Sequence, residues 1–272
     1  MYFTRSYHYL YFTCNNIIKK IKVKSNTSKK DESTFRLKLD WDVGEKTLVK
    51  FLITEVDLDD PADIWTIDGS LNTLSDRPGM DSQKTNAYGI KVFHQFNGFE
   101  FQSFTSATNT DMVLSYDADW GNSDSHMPYI YDYFSETLRN RETFGQELRL
   151  VSDSADFSSQ NMTEWVVGLS FLDIKEENLK KDDGIYGDPS DPYSPYVSQS
   201  SSSSKFSSDN ISIYANIDYL LNASTKISFG ARWEDYESKY SDSFNENFNP
   251  SDKMSGGKIS LTKNINEQTN IF

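Results

Sequence analysis

Apolar and polar residues alternate one by one over segment after segment of this chain, and helical periodicity is almost absent. A period of two is the signature of a strand with one greasy and one wet face. Phe35, Leu37, Leu39, Trp41 and Val43 alternate with Thr34, Arg36, Lys38, Asp40 and Asp42. Tyr88, Ile90, Val92, His94 and Phe96 form a second set. Ile211, Ile213, Ala215, Ile217 and Tyr219 oppose Ser212, Tyr214, Asn216 and Asp218. Ile227, Phe229, Ala231 and Trp233 oppose Ser228, Gly230, Arg232 and Glu234. With Thr47 to Val56, Phe144 to Val151, Trp165 to Phe171 and weaker candidates at Lys253 to Lys263 and Gln268 to Phe272, the pattern predicts about ten strands. From Phe99 to Trp120 the alternation changes phase, which predicts one long strand with a bulge near Thr108 to Thr110.

The connections carry as much information. Gly44–Lys46, Asn97–Gly98, Asp153–Asn161, Leu221–Ser224 and Asn264–Glu267 are short. Leu58–Thr85, Gly121–Asn140, Lys175–Ser208 and Ser241–Asp252 are long. In chain order the two kinds alternate, so an antiparallel meander sorts short turns to one end and long loops to the other. Transmembrane barrels do this; a soluble sandwich has no reason to. The Asp- and Gly-rich Leu58–Thr85, and Lys175–Ser208 with its prolines and the run Ser200 to Ser204, read as exposed, mobile loops.

Composition agrees. Apolar residues make up 36%, below the usual share of about 45–50%. Aromatics reach 14%. A net charge of −14 disfavours nucleic acid as a partner. One cysteine, Cys14, excludes an internal disulfide and a cysteine-based zinc cage. No run approaches the roughly 20 apolar residues of a membrane helix. A barrel strand needs only about 9–11 tilted residues, and Ser33–Val43, Glu142–Ser152, Glu164–Ile174, Asn210–Leu220 and Thr225–Asp235 meet that length. Glu147, Arg149, Asp218, Arg232 and Glu234 then face a wet interior, and Trp41, Phe96, Phe99 and Tyr219 fall near the rims, where rings sit at headgroup depth. Residues 1–32 show no clean leader pattern and give no clear element; they are expected to be an irregular, non-native-like N-terminal segment ahead of a partial barrel domain at 33–272.

Three stretches carry a resemblance. Phe144-Gly145-Gln146-Glu147-Leu148-Arg149-Leu150-Val151-Ser152 resembles the "QELRL-S" strand common in TonB-dependent outer-membrane receptors. Trp165-Val166-Val167-Gly168-Leu169 is similar to the "W-x-x-G-L/V" strand that follows it in that family. Ser212 to Tyr219 and Ile227 to Glu234 resemble its later hairpin with an "x-G-x-R" step. The resemblance implies part of a barrel of roughly twenty-two strands in the bacterial outer membrane. It implies a receptor for a scarce ligand, typically an iron–siderophore complex, sometimes cobalamin or a saccharide. It further implies a TonB complex acting through a plug. This chain shows no plug and no TonB box, so it reads as an incomplete barrel fragment, and Phe272 as an accidental end.

Other features weigh less. Asp57, Asp59, Asp60 and Asp63 crowd one segment, but their spacing matches no EF-hand, and a solvated acidic loop is the simpler expectation. His8, His94 and His126 are too scattered for a metal site. Tyr186, Tyr193 and Tyr196 could contact a ligand or simply pack their own loop. No catalytic set and no cofactor motif stands out, so no enzyme is expected. Two rivals stay open: a secreted or surface adhesin-like sheet protein, and a carbohydrate-active β-fold enzyme, which needs two carboxylates across a cleft.

Overall fold

The computed structural model describes residues 3–14, 19–20, 30–63, 65–154, 162–266 and 269–271, with side chains described between residues 30 and 264, residues 64 and 155–161 excepted. The strands are β1 (Phe3–Cys14), β2 (Lys19–Lys20), β3 (Lys30–Asp42), β4 (Thr47–Pro61), β5 (Asn72–Thr73), β6 (Met80–Gln95) and β7 (Phe99–Asp117). They continue as β8 (Ile130–Ser152), β9 (Thr163–Gly187), β10 (Tyr196–Asn222), β11 (Thr225–Asp242), β12 (Asn247–Phe248), β13 (Ser251–Asn266) and β14 (Thr269–Ile271). One antiparallel sheet runs β1-β3-β4-β6-β7-β8-β9-β10-β11-β13-β14, with the short β12 attached to β11. β2 and β5 form a separate two-stranded parallel pair. The main sheet is not closed on itself.

Neighbours in space are neighbours in sequence, so each connection lies at one end of the sheet or the other. Residues 43–46, 96–98 and 223–224 turn at one end; residues 62–79, 118–129, 188–195 and 243–250 cross at the other. Gly44 and Gly98 supply the positive φ (76° and 87°) that such tight turns require. The expected sorting of connections is therefore present. Connections 155–161 and 267–268, and Phe272, lie outside the described residues.

Burial is inverted relative to a soluble protein. Among the described residues Ala62 is the only buried hydrophobic, whereas Ser212, Asp117, Ser115 and Ser135 are buried polar ones. The register explains this. Leu150, Val167, Ala215 and Ala231 align across β8 to β11, as do Leu148, Leu169, Ile213 and Trp233. All eight lie on one face, and Leu150, Leu169, Ile213 and Trp233 keep 39–52% of their surface open. The apolar stretch spans seven to nine residues per strand, for example Trp165 to Phe171 and Ile211 to Tyr219. At ~3.3 Å per residue and a tilt of ~40°, that makes a band roughly 20 Å tall, close to the hydrocarbon band of a membrane barrel. Trp41, Phe96, Phe99, Trp165 and Tyr219 rim it at the short-turn end, with Phe96 stacked on Phe99 at 4.9 Å.

Several expectations are corrected. β7 contains no bulge: its register with β6 and with β8 is continuous from end to end. The phase change is real but has another cause. Phe99 and Phe101 lie on the apolar face, while Met112, Leu114 and Tyr116 lie on the opposite face, where β7 has left the band. Most of Lys175–Ser208 is strand, not mobile loop, because β9 extends to Gly187 and β10 begins at Tyr196. The run Ser200 to Ser204 is paired residue for residue with Asp182 to Asn178. Beyond the band β9 and β10 carry mostly polar residues on both faces, so strict alternation ends and the sequence signal fades while the ladder continues. Gly121–Asn140 and Leu58–Thr85 shrink in the same way, to 118–129 and 62–79. Phe3–Cys14, in the segment expected to be irregular, pairs with β3 along its whole length.

Candidate functional site

The polar face of the sheet carries a connected set of charged side chains at the depth of the apolar band. Even-numbered β10 residues and their partners point to this side: Tyr214 pairs with Gly168 on β9 and Arg232 on β11. Gly168 is required by close approach. A Cβ there would stand 2.2 Å from Cζ of Tyr214, whose ring lies across β9 toward β8. The Tyr214 hydroxyl thereby reaches Glu147 and donates to its Oε1 at 2.5 Å. Arg149 donates to the other oxygen of Glu147 at 2.7 Å and sets its guanidinium 4.9 Å from the Phe104 ring centre. Arg232 donates to Glu234 at 2.8 Å, and Glu234 also accepts from Asn210. Asp218 pairs with Lys226 at 2.7 Å and accepts from Asn216 at 3.0 Å. All five charged residues expected on the wet face lie there, each paired with a neighbour. Sequence reasoning placed Gly168 in a family-like motif but missed its contact with Tyr214. A glycine inside a strand is itself a signal for such close approach.

The long-connection end is built differently. Here carboxylates hold the backbone of loops. Asp63 accepts from the Gly79 N–H at 2.9 Å, Asp117 from Asp76 N–H at 3.1 Å, and Asp119 from Tyr133 N–H at 2.7 Å and Gly121 N–H at 2.9 Å. Burial raises the Asp119 pKa; the Tyr133 N–H works against that, and the neighbouring Asp117 charge adds to it. Arg77 bridges Asp183 at 2.7 Å and Asp132 at 3.2 Å and lies over Phe134. Of the four aspartates expected in a solvated acidic loop, Asp57 and Asp59 are exposed on β4, whereas Asp60 and Asp63 are not. Asp60 and Asp63 are 5% and 3% exposed, and Asp60 holds Lys30 and the Asp31 N–H. Among the described residues no group of three or more possible metal ligands gathers.

Burial pushes the Asp60 pKa upward, but hydrogen bonds from Lys30 and the Asp31 N–H, with the Lys30 charge, outweigh it, and the carboxyl ends below its ordinary value. A carboxyl lowered in the folded state stabilises above the unfolded pKa of about 3.9, and that contribution is lost as pH falls through the folded value. The protection of the Asp31 amide relative to its intrinsic exchange rate should therefore fall as pH drops below about 4. Asp60→Asn should remove that pH dependence; an unchanged profile in the variant would assign it elsewhere.

The three loop tyrosines do not converge. Tyr193 is 83% exposed, Tyr196 donates to Asp191 at 2.6 Å within its own loop, and Tyr186 meets Tyr131 edge-on at 6.4 Å. His94 shares a 2.7 Å hydrogen bond with Thr47 and packs against Phe96. His126 lies at the opposite end of the sheet, 3.7 Å from Asp119. The side chains of His8 and Cys14 lie outside the described set.

No protein-family model matches the sequence, and no curated protein matches it. Solved structures do. The ferric yersiniabactin uptake receptor FyuA from Yersinia pestis superposes with a TM-score of 0.65 at 14% identity, over 97% of this chain and 40% of its own. BauA, the ferric preacinetobactin receptor from Acinetobacter baumannii, gives 0.66 at 12% identity, over 98% and 41%. The copper transporter OprC gives 0.58 at 12% identity, over 97% and 38%. This chain therefore spans about two fifths of the length of the proteins it resembles. All three are described as receptors or transporters. The chain has the fold of the barrel wall of TonB-dependent outer-membrane receptors.

Proposed function

We propose that the chain is wall from an outer-membrane receptor that takes up a scarce ligand, with an iron–siderophore complex as the first candidate. The observation that carries this reading is the inverted burial: a continuous apolar band that no part of the described chain covers, backed by a paired, charged wall. Lipid on one side and a wet lumen on the other satisfy both faces at once. Iron is favoured because two of the three structural relatives named above are described as receptors for ferric ligands; the copper transporter keeps a second metal in view. Residues 33–272 would form the partial barrel domain, and a TonB complex would act through a plug supplied by a longer parent protein.

Expressed in a Gram-negative host, the chain should fractionate with the outer membrane and enter solution only with detergent. Recovery in detergent-free buffer as a dispersed species would instead favour the adhesin-like or carbohydrate-active readings. Reading the flanking DNA should reveal a plug-encoding stretch upstream and further barrel strands downstream. Open flanking frames that encode neither would remove the partial-barrel reading.

A further inference from the structure

The apolar face carries one polar island. In the row Phe51, Ile90, Thr105, Gln146, Phe171, Ile211, which crosses from β4 to β10, the two middle members are polar. In the next row, Val92, Ser103, Leu148, Leu169, a third polar residue stands beside them. Toward the tight turns the row through Phe101, Leu150 and Val167 is apolar again. The island therefore sits at mid-depth in the band, level with Leu169.

Its members bond first to one another. Thr105 donates to Oε1 of Gln146 at 2.6 Å, and Nε2 of Gln146 donates to Ser103 Oγ at 3.1 Å and to the Glu147 carbonyl at 3.3 Å. Both amide protons of Gln146 are thereby used. The Ser103 hydroxyl proton has no acceptor among the described residues, and Oε1 of Gln146 keeps a second lone pair. Acyl chains at this depth offer neither a donor nor an acceptor. The relief of the surface points the same way. Ser103, Thr105 and Ala107 make β7 a shallow channel between Tyr88 and Ile90 on β6 and Phe144 and Leu148 on β8, four side chains that keep 37–53% of their surface open. Small side chains that let backbones approach, with polar ones as glue, are what contacts inside a membrane are built from.

We propose that this face of β7 and β8 is where two copies of the chain meet side by side, about a twofold axis along the membrane normal. Charge complementarity selects the occupant. A partially positive hydroxyl proton and a partially negative amide oxygen lie on one patch, so a twofold axis brings Ser103 of each copy to Gln146 of the other and meets both at once. The β8 ridge of each copy then seats in the β7 channel of the other. The inference rests on the outer-membrane receptor reading, because only hydrocarbon leaves these groups unmet in a single copy.

The test is cross-linking of the full chain in phospholipid vesicles, with Cys14→Ala removing the one native thiol and a single new thiol placed on the apolar face. With Ala107→Cys a short bismaleimide should trap a covalent dimer. With Ala231→Cys, on the same face but four strands further along the sheet and beside β13, it should trap little. Dilution of the chain in lipid gives the association constant, and Gln146→Leu should lower it about tenfold, the loss of two symmetry-related hydrogen bonds within a membrane. Leucine suits lipid better than glutamine, so this change leaves folding intact. Ser228→Ala, which removes a hydroxyl from the opposite face, should leave association unchanged. Absence of a dimer with Ala107→Cys, equal or greater trapping with Ala231→Cys, or an association constant indifferent to Gln146→Leu would overturn the proposal; greater trapping with Ala231→Cys would assign the contact to the open edge of the sheet. If that happens while the chain still fractionates with the outer membrane, the receptor reading stands and only the paired arrangement falls.

Discussion

An arginine in place of Leu169 should cost about 2–4 kcal/mol of folding free energy in phospholipid vesicles, roughly a 30- to 1,000-fold shift toward the unfolded chain. Leu169 sits in the middle of the apolar band, between Leu148 and Ile213, with 43% of its surface open to whatever surrounds the sheet. If that surrounding is hydrocarbon, the guanidinium must snorkel or drag water into the bilayer. The same residue at Ser228, on the opposite face beside Asp218, should be nearly neutral, because it gains a carboxylate neighbour and stays wet. Urea titration of both variants in vesicles reads the difference. Similar costs at the two positions would mean that the apolar face does not meet lipid. A companion observation separates a membrane wall from two stacked soluble layers: on removal of detergent the chain should aggregate, since nothing in the described structure covers the band.

The second large effect should come from Gly168→Val. Its Cβ alone would collide with the Tyr214 ring, so the ring must leave and the hydroxyl must release Glu147. Overpacking costs about 1–3 kcal/mol, and losing a hydrogen bond to a charged acceptor adds about 1.5–3 kcal/mol. A total near 4 kcal/mol is expected. Tyr214→Ala frees the space but forfeits the same hydrogen bond. The double variant should therefore be less harmful than the sum of the singles, with a coupling above about 1 kcal/mol. Additive effects in that cycle would show that the ring does not lie over Gly168 in the folded protein.

What the sequence made legible follows the apolar band. Within the band each strand must present one apolar side, so Phe35 to Trp41, Trp165 to Phe171 and Ile227 to Trp233 were readable by period alone. So was the wet side, down to Glu147, Arg149 and Glu234. Above the band that demand ends. The serine run at 200–204 resembles a linker by composition, yet its backbone completes ladders with β9 that composition does not encode. Asp60, Asp63, Asp117 and Asp119 posed the reverse problem. A carboxylate that accepts backbone N–H groups looks, in sequence, the same as one dissolved in water; only the partners distinguish them.

The direction of the outermost ribbons has a further consequence. With every step along the sheet antiparallel, β1 and β14 are the first and the eleventh members of the path, and both run from the tight-turn side toward the long-connection side. Joined directly to each other they could meet only in parallel, the slightly weaker pairing. A ring that stays antiparallel throughout must insert an odd number of additional members between them. Parity alone thus specifies what any completing wall has to contribute, whichever molecule supplies it.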